Sequence, residues 1–119
     1  VAADKTHRGQ AIIEQVHADL KAGPLAHLPS GVFTANSAWL VIAVIAFNLT
    51  RAAGLVADRA GRLARATTAT IRRTLIHVPA RLARSARRIT LHLPEAWPWQ
   101  TAFDRLFTAT HAPPPTVTT

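Results

Sequence analysis

One stretch, residues 6–21 (THRGQAIIEQVHADLK), constrains the fold of this chain more than any other. On a helix, at about 100° per residue, five of its polar residues share about 80° of arc. These residues are His7, Gln10, Glu14, His17 and Lys21. An apolar stripe on the opposite side consists of Ile12, Ile13, Val16 and Leu20. The pattern predicts an amphipathic helix, with Thr6 as N-cap and Gly23-Pro24 beyond its end. An ordinary solvated helix face would show the same pattern.

The charge of the chain is strongly positive. It carries 14 Lys and Arg residues against 6 Asp and Glu residues, a net charge of +8. Ten arginines lie between Arg51 and Arg88, where Asp58 is the only acid. Such a block predicts a polyanionic partner, above all nucleic acid. A solvated basic surface and a genomic bias towards arginine are the alternatives.

The size and composition narrow the class of protein further. With 119 residues the chain is one domain or part of a larger one. The absence of cysteine excludes a disulfide framework, a thiolate metal site and thiol catalysis, and it favours an intracellular protein. The chain starts at Val1, only a few residues before the predicted helix, and we expect that an upstream part is missing.

The middle of the chain is apolar. Residues 22–35 contain two prolines and are expected to form a loop, after which Asn36 or Ser37 caps an apolar helix. Its uninterrupted apolar run, residues 38–47, is shorter than the roughly twenty residues of a membrane span, so we expect a core helix buried on most sides and no membrane partner. The spacing extends this helix to Ala57; a strand is the alternative.

The second half is expected to contain a connection, a short ambiguous segment and a hairpin. Residues 58–70 are small and basic and predict an exposed, mobile connection, and residues 71–78 fit a helical turn or a strand. Residues 88–93 alternate strictly between polar and apolar, which predicts a strand. It would pair with residues 78–83 in a hairpin that turns at residues 84–86.

The C-terminal end has three predicted parts. The aromatic PEAWPW stretch, residues 94–99, is expected to be a packed corner. Residues 101–110 predict a short amphipathic helix, and residues 111–119 are expected to be disordered.

Few chemistries fit these residues. The chain has no Gly-rich phosphate loop, no GxSxG elbow and no HExxH motif. His7 and His17 are ten residues apart, not at the one-turn spacing of a zinc pair. Glu14 with Lys21, two turns further on, is the constellation that remains.

That constellation resembles a signature of the DDE transposases of bacterial insertion sequences, Tyr-x2-Arg-x3-Glu-x6-Lys. Here the spacing reads His7-x2-Gln10-x3-Glu14-x6-Lys21, so the Glu and Lys match while His7 and Gln10 replace the Tyr and Arg. Arg8 supplies a charge near the Arg position. The downstream segments 23–54 and 78–94 also resemble the tail of this family.

The resemblance implies a ribonuclease-H-like catalytic domain in which two Asp residues and one Glu hold two divalent metal ions. It makes Glu14 the catalytic third acid and a metal ligand, with Mg²⁺ or Mn²⁺ as cofactor in the complete enzyme. Lys21 would contact the phosphates of the transposon end, with Gln10, His7 and Arg8 contacting DNA nearby.

The two Asp ligands are missing, because Asp4 is the only acid before Glu14. We therefore expect a mixed α+β fragment, mainly helical with a C-terminal β-hairpin, from the C-terminal part of a ribonuclease-H-like catalytic domain. Residues 1–57 would be the last helices of that domain, residues 58–110 a basic hairpin and helix, and residues 111–119 a tail. Alone, such a fragment should be inactive.

The expected partners are the transposon ends, the missing N-terminal part of the transposase and, in a homodimer, a second copy. The expected location is the bacterial cytoplasm, on the nucleoid when DNA is bound. One rival hypothesis is a non-enzymatic basic helical module that binds nucleic acid. Another is a membrane-associated protein built on residues 38–47.

Overall fold

The chain is mainly helical and carries one antiparallel hairpin. The computed structural model describes the backbone of residues 2–112 and the side chains of residues 12–112. The helices are α1 (Ala2–Lys21), α2 (Phe33–Ala57), α3 (Thr68–Ile71) and α4 (Gln100–His111), and the strands are β1 (Arg81–Ser85) and β2 (Arg88–His92). A 3-10 turn spans Leu63–Arg65, and a π-helical turn, Arg72–Ile76, continues α3. This confirms a mainly helical α+β chain with a C-terminal hairpin.

Helix α1 is longer than the sequence pattern predicts. It begins at Ala2, so Thr6 lies inside the helix and is not its N-cap. The preceding Ala2, Ala3 and Lys5 are good helix formers, which explains the extension. After Lys21 the chain turns, and the Leu25 amide donates to the Leu20 carbonyl at 3.0 Å.

Helix α2 begins at Phe33, three residues before the predicted cap. The Asn36 side chain is engaged elsewhere: its Oδ1 accepts from the Ser30 amide at 3.2 Å and its Nδ2 donates to the Ser30 carbonyl at 2.8 Å. The Trp39 Nε1 donates to the Pro24 carbonyl at 2.9 Å and ties α2 to the turn after α1. The strand alternative for this segment is wrong.

The exposure of α2 contradicts the expectation of a helix buried on most sides. Only Ala43, Gly54 and Ala57 of this helix are buried. Its exposed apolar residues include Leu40, Val41, Ile42, Ile45 and Leu49, which are 48% to 66% exposed. By length and composition, α2 is the one helix of the described residues that could cross a membrane. The ten-residue run therefore does not exclude a membrane span.

A small core lies between the end of α2 and α4. Its buried members are Ala57, Leu63, Ile71, Leu75 and Ala102. Partly buried aromatic residues, including Trp97, Trp99 and Phe103, pack against them. Gly54 allows the close approach of α2 to this core, because a Cβ there would lie 2.6 Å from Ile71 Cδ1 and 2.8 Å from the Leu63 carbonyl oxygen.

The segment between α2 and α3 is anchored, contrary to the prediction of an exposed connection at residues 58–70. Leu63 is fully buried and Thr68 is 7% exposed. Asp58 Oδ2 accepts from the Leu63 amide at 3.1 Å. The Arg51 guanidinium donates from Nη2 to the Ala64 carbonyl at 2.9 Å and from Nη1 to the Ala66 carbonyl. These bonds to side chains replace the regular backbone pairing that the segment lacks.

The predicted hairpin is present with shifted bounds. Strand β1 begins at Arg81, since Pro79 has no amide to donate to a ladder. It continues to Ser85, which pairs with Arg88, so the turn consists of Ala86 and Arg87 rather than residues 84–86. Ala86 has a φ of 49°, in the region that glycine prefers.

The remaining C-terminal predictions agree with the structure except at the start of the predicted tail, residues 111–119. Residues 72–76 are helical, which settles the ambiguity of residues 71–78. The corner at residues 94–99 packs Trp97 and Trp99 on the core, and α4 follows as predicted. His111 belongs to α4 and not to the tail. Residues 113–119 lie outside the described residues.

Candidate functional site

The candidate site lies on the outer face of α1. Glu14, His17 and Lys21 are all exposed. Glu14 and Lys21 are seven residues apart, so both lie on the same side of the helix. The same helix also contains His7, Arg8 and Gln10, whose side chains the structure does not describe. The structure therefore presents the Glu–Lys pair to solvent.

The opposite side of α1 faces a cleft. From α1 the cleft is lined by Ile12, Gln15, Val16 and Asp19, and from the rest of the chain by Phe47, Arg51, Arg65, Ala66 and Thr67. Ile13, placed in the predicted apolar stripe, is 58% exposed, and Ile12 is 64% exposed although it borders the cleft. The packed face is thus more polar than the sequence pattern indicates.

A carboxylate fixes α1 to the start of α3. Asp19 Oδ2 accepts from the Thr68 amide at 2.8 Å, and Asp19 Oδ1 accepts from the Thr68 hydroxyl at 2.8 Å. The Thr68 amide is one of the unpaired donors at a helix N-terminus, and the carboxylate also suits the positive end of the helix dipole. This two-bond contact joins residues 49 positions apart in the chain.

The contact at Asp19 determines where Glu14 points. Five residues separate them, which places their side chains about 140° apart around the helix. With Asp19 held against α3, Glu14 faces away from the cleft. The anchored side of α1 therefore positions a carboxylate on its free side.

Sequence reasoning missed the role of Asp19. It counted Glu14 as the acid of interest and did not consider a partner for Asp19. A signal was available in the Thr67-Thr68 pair, because Thr is common at helix starts, and Thr67 is indeed the N-cap of α3, accepting from the Thr70 amide. No sequence pattern indicates that the start of α3 binds Asp19, which lies 49 positions away in the chain.

The donor set of the site fits a hard divalent cation only in part. Glu14 offers carboxylate oxygens, the kind of ligand that Mg²⁺ and Mn²⁺ prefer. Within residues 12–112, no group of three or more His, Asp or Glu side chains could hold a metal ion. Among the described residues, Glu14 therefore does not belong to a complete metal site.

The arginine block divides into two kinds of residue. Arg51 is half-buried and uses its guanidinium on the Ala64 and Ala66 carbonyls, so it stabilises the fold. The other nine arginines of the block are exposed. They are Arg59, Arg62, Arg65, Arg72, Arg73, Arg81, Arg84, Arg87 and Arg88. The exposed group gives one acid-free stretch of the chain a dense positive surface.

Comparison with protein families shows to which family the chain belongs. Residues 4–113 match the model of the transposase DDE domain, group 1. The chain belongs to this transposase family. Comparison with curated proteins and with solved structures gives no match.

Membership of the DDE transposases supports a transposase-related function and, in general, DNA as the partner. Enzymes with a DDE domain generally use a divalent metal ion. The matched range includes α1 with Glu14 and Lys21, the hairpin and α4.

Proposed function

We propose that this chain is the C-terminal part of the DDE transposase of a bacterial insertion sequence and that Glu14 is its third catalytic acid. The observation that carries the proposal is the arrangement on α1. Glu14 and Lys21 are exposed on one face, while Asp19 anchors the other face to Thr68. A carboxylate on a rigid, externally anchored helix is what a shared metal site needs.

The other two acids would come from a sheet with a ribonuclease-H-like fold, supplied by a further part of the transposase. Exposed apolar residues beside the site, such as Ile13, support a covering element of that kind. Glu14 and those two acids would hold divalent ions, Mg²⁺ or Mn²⁺, which would supply Lewis-acid chemistry for cleavage of a phosphodiester. With one carboxylate in place, the chain by itself is expected to be inactive.

Each residue of the signature then has a role. Glu14 would bind metal through its carboxylate, and Lys21, in the last turn of α1, would place its ammonium group against a phosphate of the transposon end. His7, Arg8 and Gln10 are proposed to contact DNA earlier on the same helix. The enzyme would act in the bacterial cytoplasm, on the nucleoid when bound to DNA, and a homodimer would hold the paired transposon ends.

Strand cleavage by the complete transposase, the polypeptide in which α1 is joined to the other two acids, tests the role of Glu14. The Glu14→Gln variant keeps the size of the side chain and removes its charge. Because a metal ligand contributes several kcal/mol to transition-state stabilisation, we expect Mg²⁺-dependent cleavage to fall by roughly 10³-fold. DNA binding should stay unchanged.

The matched control is Glu95→Gln, an exposed acid outside the signature. It should cleave DNA as well as the unmodified enzyme. Full cleavage activity of the Glu14→Gln variant would contradict the proposal.

A second candidate is a non-enzymatic nucleic-acid-binding module, which the nine exposed arginines favour. It predicts binding that weakens steeply with salt and is indifferent to Glu14 and to Mg²⁺. The cleavage assay distinguishes the two candidates, because a transposase loses cleavage activity when Glu14 is replaced and a binding module has no such activity.

A further inference from the structure

The hairpin is exposed on both faces. Every residue of β2 is exposed, and so is every residue of β1 except Ala83, which is half-buried. Two strands alone are seldom stable without packing or a partner. The hairpin therefore protrudes as a ribbon whose surface is available for binding.

The two faces of the ribbon differ in chemistry. Paired residues of an antiparallel ladder lie on the same face, so the register separates the side chains into two sets. The polar face consists of Arg81, Ala83, Ser85, Arg88, Thr90 and His92. The apolar face carries Leu82, Ile89 and Leu91, with Arg84 at the end near the turn. Only the polar face and the turn are suited to a charged partner.

Positive charge is concentrated at the turn. Arg84, Arg87 and Arg88 lie within two residues of Ala86, and Arg81 extends the charge along the polar face. No acidic residue occurs between Arg59 and Pro94. The ribbon thus carries four guanidinium groups with no carboxylate in the surrounding sequence, which favours a polyanion that accepts several of them at once.

The dimensions of the ribbon fit the major groove of duplex DNA. Four residue steps from Arg81 to Ser85 cover roughly 14 Å, and paired strands are about 4.8 Å apart. The major groove of B-form DNA is about 12 Å wide and admits a two-stranded ribbon. The major groove of duplex RNA is too deep and narrow for side chains to enter. Shape therefore favours DNA.

We propose that the β1–β2 hairpin is a DNA-binding arm that enters the major groove, with Arg81, Arg84, Arg87 and Arg88 contacting phosphates along its edges. The inference rests on the proposed DNA partner and not on the catalytic role of Glu14. The hairpin arginines would thus bind DNA at a defined site, whereas the other arginines of the block would form a general basic surface.

The test compares two variants of the 119-residue chain with equal loss of charge. The hairpin variant is R81Q/R84Q/R87Q/R88Q, and the control is R59Q/R62Q/R72Q/R73Q. All eight arginines are exposed, so both variants should keep the fold, which circular dichroism checks. Each variant removes four of the 14 positive charges and so lowers the net charge from +8 to +4.

Binding is measured by fluorescence anisotropy with a labelled, mixed-sequence DNA duplex of about 30 base pairs, with EDTA present, at salt concentrations from 50 to 200 mM. Losing four phosphate contacts makes the negative slope of log K against log salt less steep by about 3.6, and it lowers the affinity at 0.1 M salt by roughly 4 × 10³-fold. We expect this loss for the hairpin variant and a much smaller one for the control. Equal losses in both variants, or an unchanged hairpin variant, would overturn the proposal.

A measurement on duplex RNA distinguishes the major groove of DNA from a general polyanion. Binding to an RNA duplex of the same sequence should be clearly weaker, and equal or tighter binding to RNA would overturn the assignment to the major groove of DNA. The DNA-binding assay contains EDTA, so its result does not depend on a metal ion bound at Glu14. Failure of the hairpin prediction therefore leaves the catalytic proposal standing, and loss of the catalytic proposal leaves the hairpin result interpretable.

Discussion

Removal of the Asp19 carboxylate should loosen the helix that carries Glu14. Asp19 accepts two hydrogen bonds from Thr68, each 2.8 Å long, and Thr68 is 7% exposed. A hydrogen bond to a charged group contributes about 1.5–3 kcal/mol, and because Asp19 is half-buried we take the lower end of this range. The Asp19→Ala variant should therefore lower the free energy of unfolding by about 3 kcal/mol.

A double-mutant cycle isolates the contact. The Thr68→Val variant removes the hydroxyl but keeps the amide, so it should cost about 1.5 kcal/mol, and its coupling energy with Asp19→Ala should be of the same size. Urea unfolding followed by tryptophan fluorescence gives these values. Glu14→Ala, at an exposed carboxylate of the same helix, serves as control and should stay within about 0.5 kcal/mol. Additive effects of the two changes, with no coupling, would refute the role of this contact.

Two further changes test the fold that supports the site. At Ala86, with its φ of 49°, the Ala86→Gly variant should stabilise the hairpin by about 0.5 kcal/mol, the difference between relieved strain and added chain entropy. Slower amide exchange in β1 and β2 would show it, and faster exchange would contradict it. At Gly54, where an added Cβ would meet Ile71 and the Leu63 carbonyl, Gly54→Ala should destabilise the chain by about 1–3 kcal/mol in urea unfolding. A variant as stable as the unmodified chain would show that α2 does not pack this closely on the core.

Sequence patterns predicted those elements that depend on residues close to one another in the chain. The period of α1 and the alternation of residues 88–93 follow from side-chain direction along a helix or strand, and both elements are present. The hairpin turn was misplaced by the sequence because its two residues, Ala86 and Arg87, are not typical turn residues. The side chain of Ala86 gives no indication of the positive φ of this residue.

Long-range hydrogen bonds explain the parts that could not be predicted. The segment at residues 58–70 has few large apolar side chains, so its sequence suggests an exposed connection. Its order depends on Arg51 binding carbonyls 13 and 15 residues away and on Asp19 binding Thr68. Neither pairing has a periodic signal.

The candidate site shows the same division. The spacing of Glu14 and Lys21 predicts a shared face, and the structure places both residues in solvent on α1. The pattern predicts an apolar stripe on the side that anchors this helix, whereas the polar residues Gln15 and Asp19 also line the cleft. The helical spacing thus predicted the exposed face with Glu14 and Lys21, but it did not predict that Asp19 anchors the opposite face. The functional division of the chain at residue 57 stays a prediction.

The proposed role of Glu14 as a metal ligand can be tested by counting bound Mn²⁺ ions. The measurement uses electron paramagnetic resonance on the complete transposase bound to a transposon-end duplex, with and without Glu14→Gln. We predict that the variant binds DNA normally but loses at least one tightly bound Mn²⁺ ion, because a shared carboxylate ligand is gone. The same number of ions, bound with the same affinity, would contradict the assignment of Glu14 as a metal ligand.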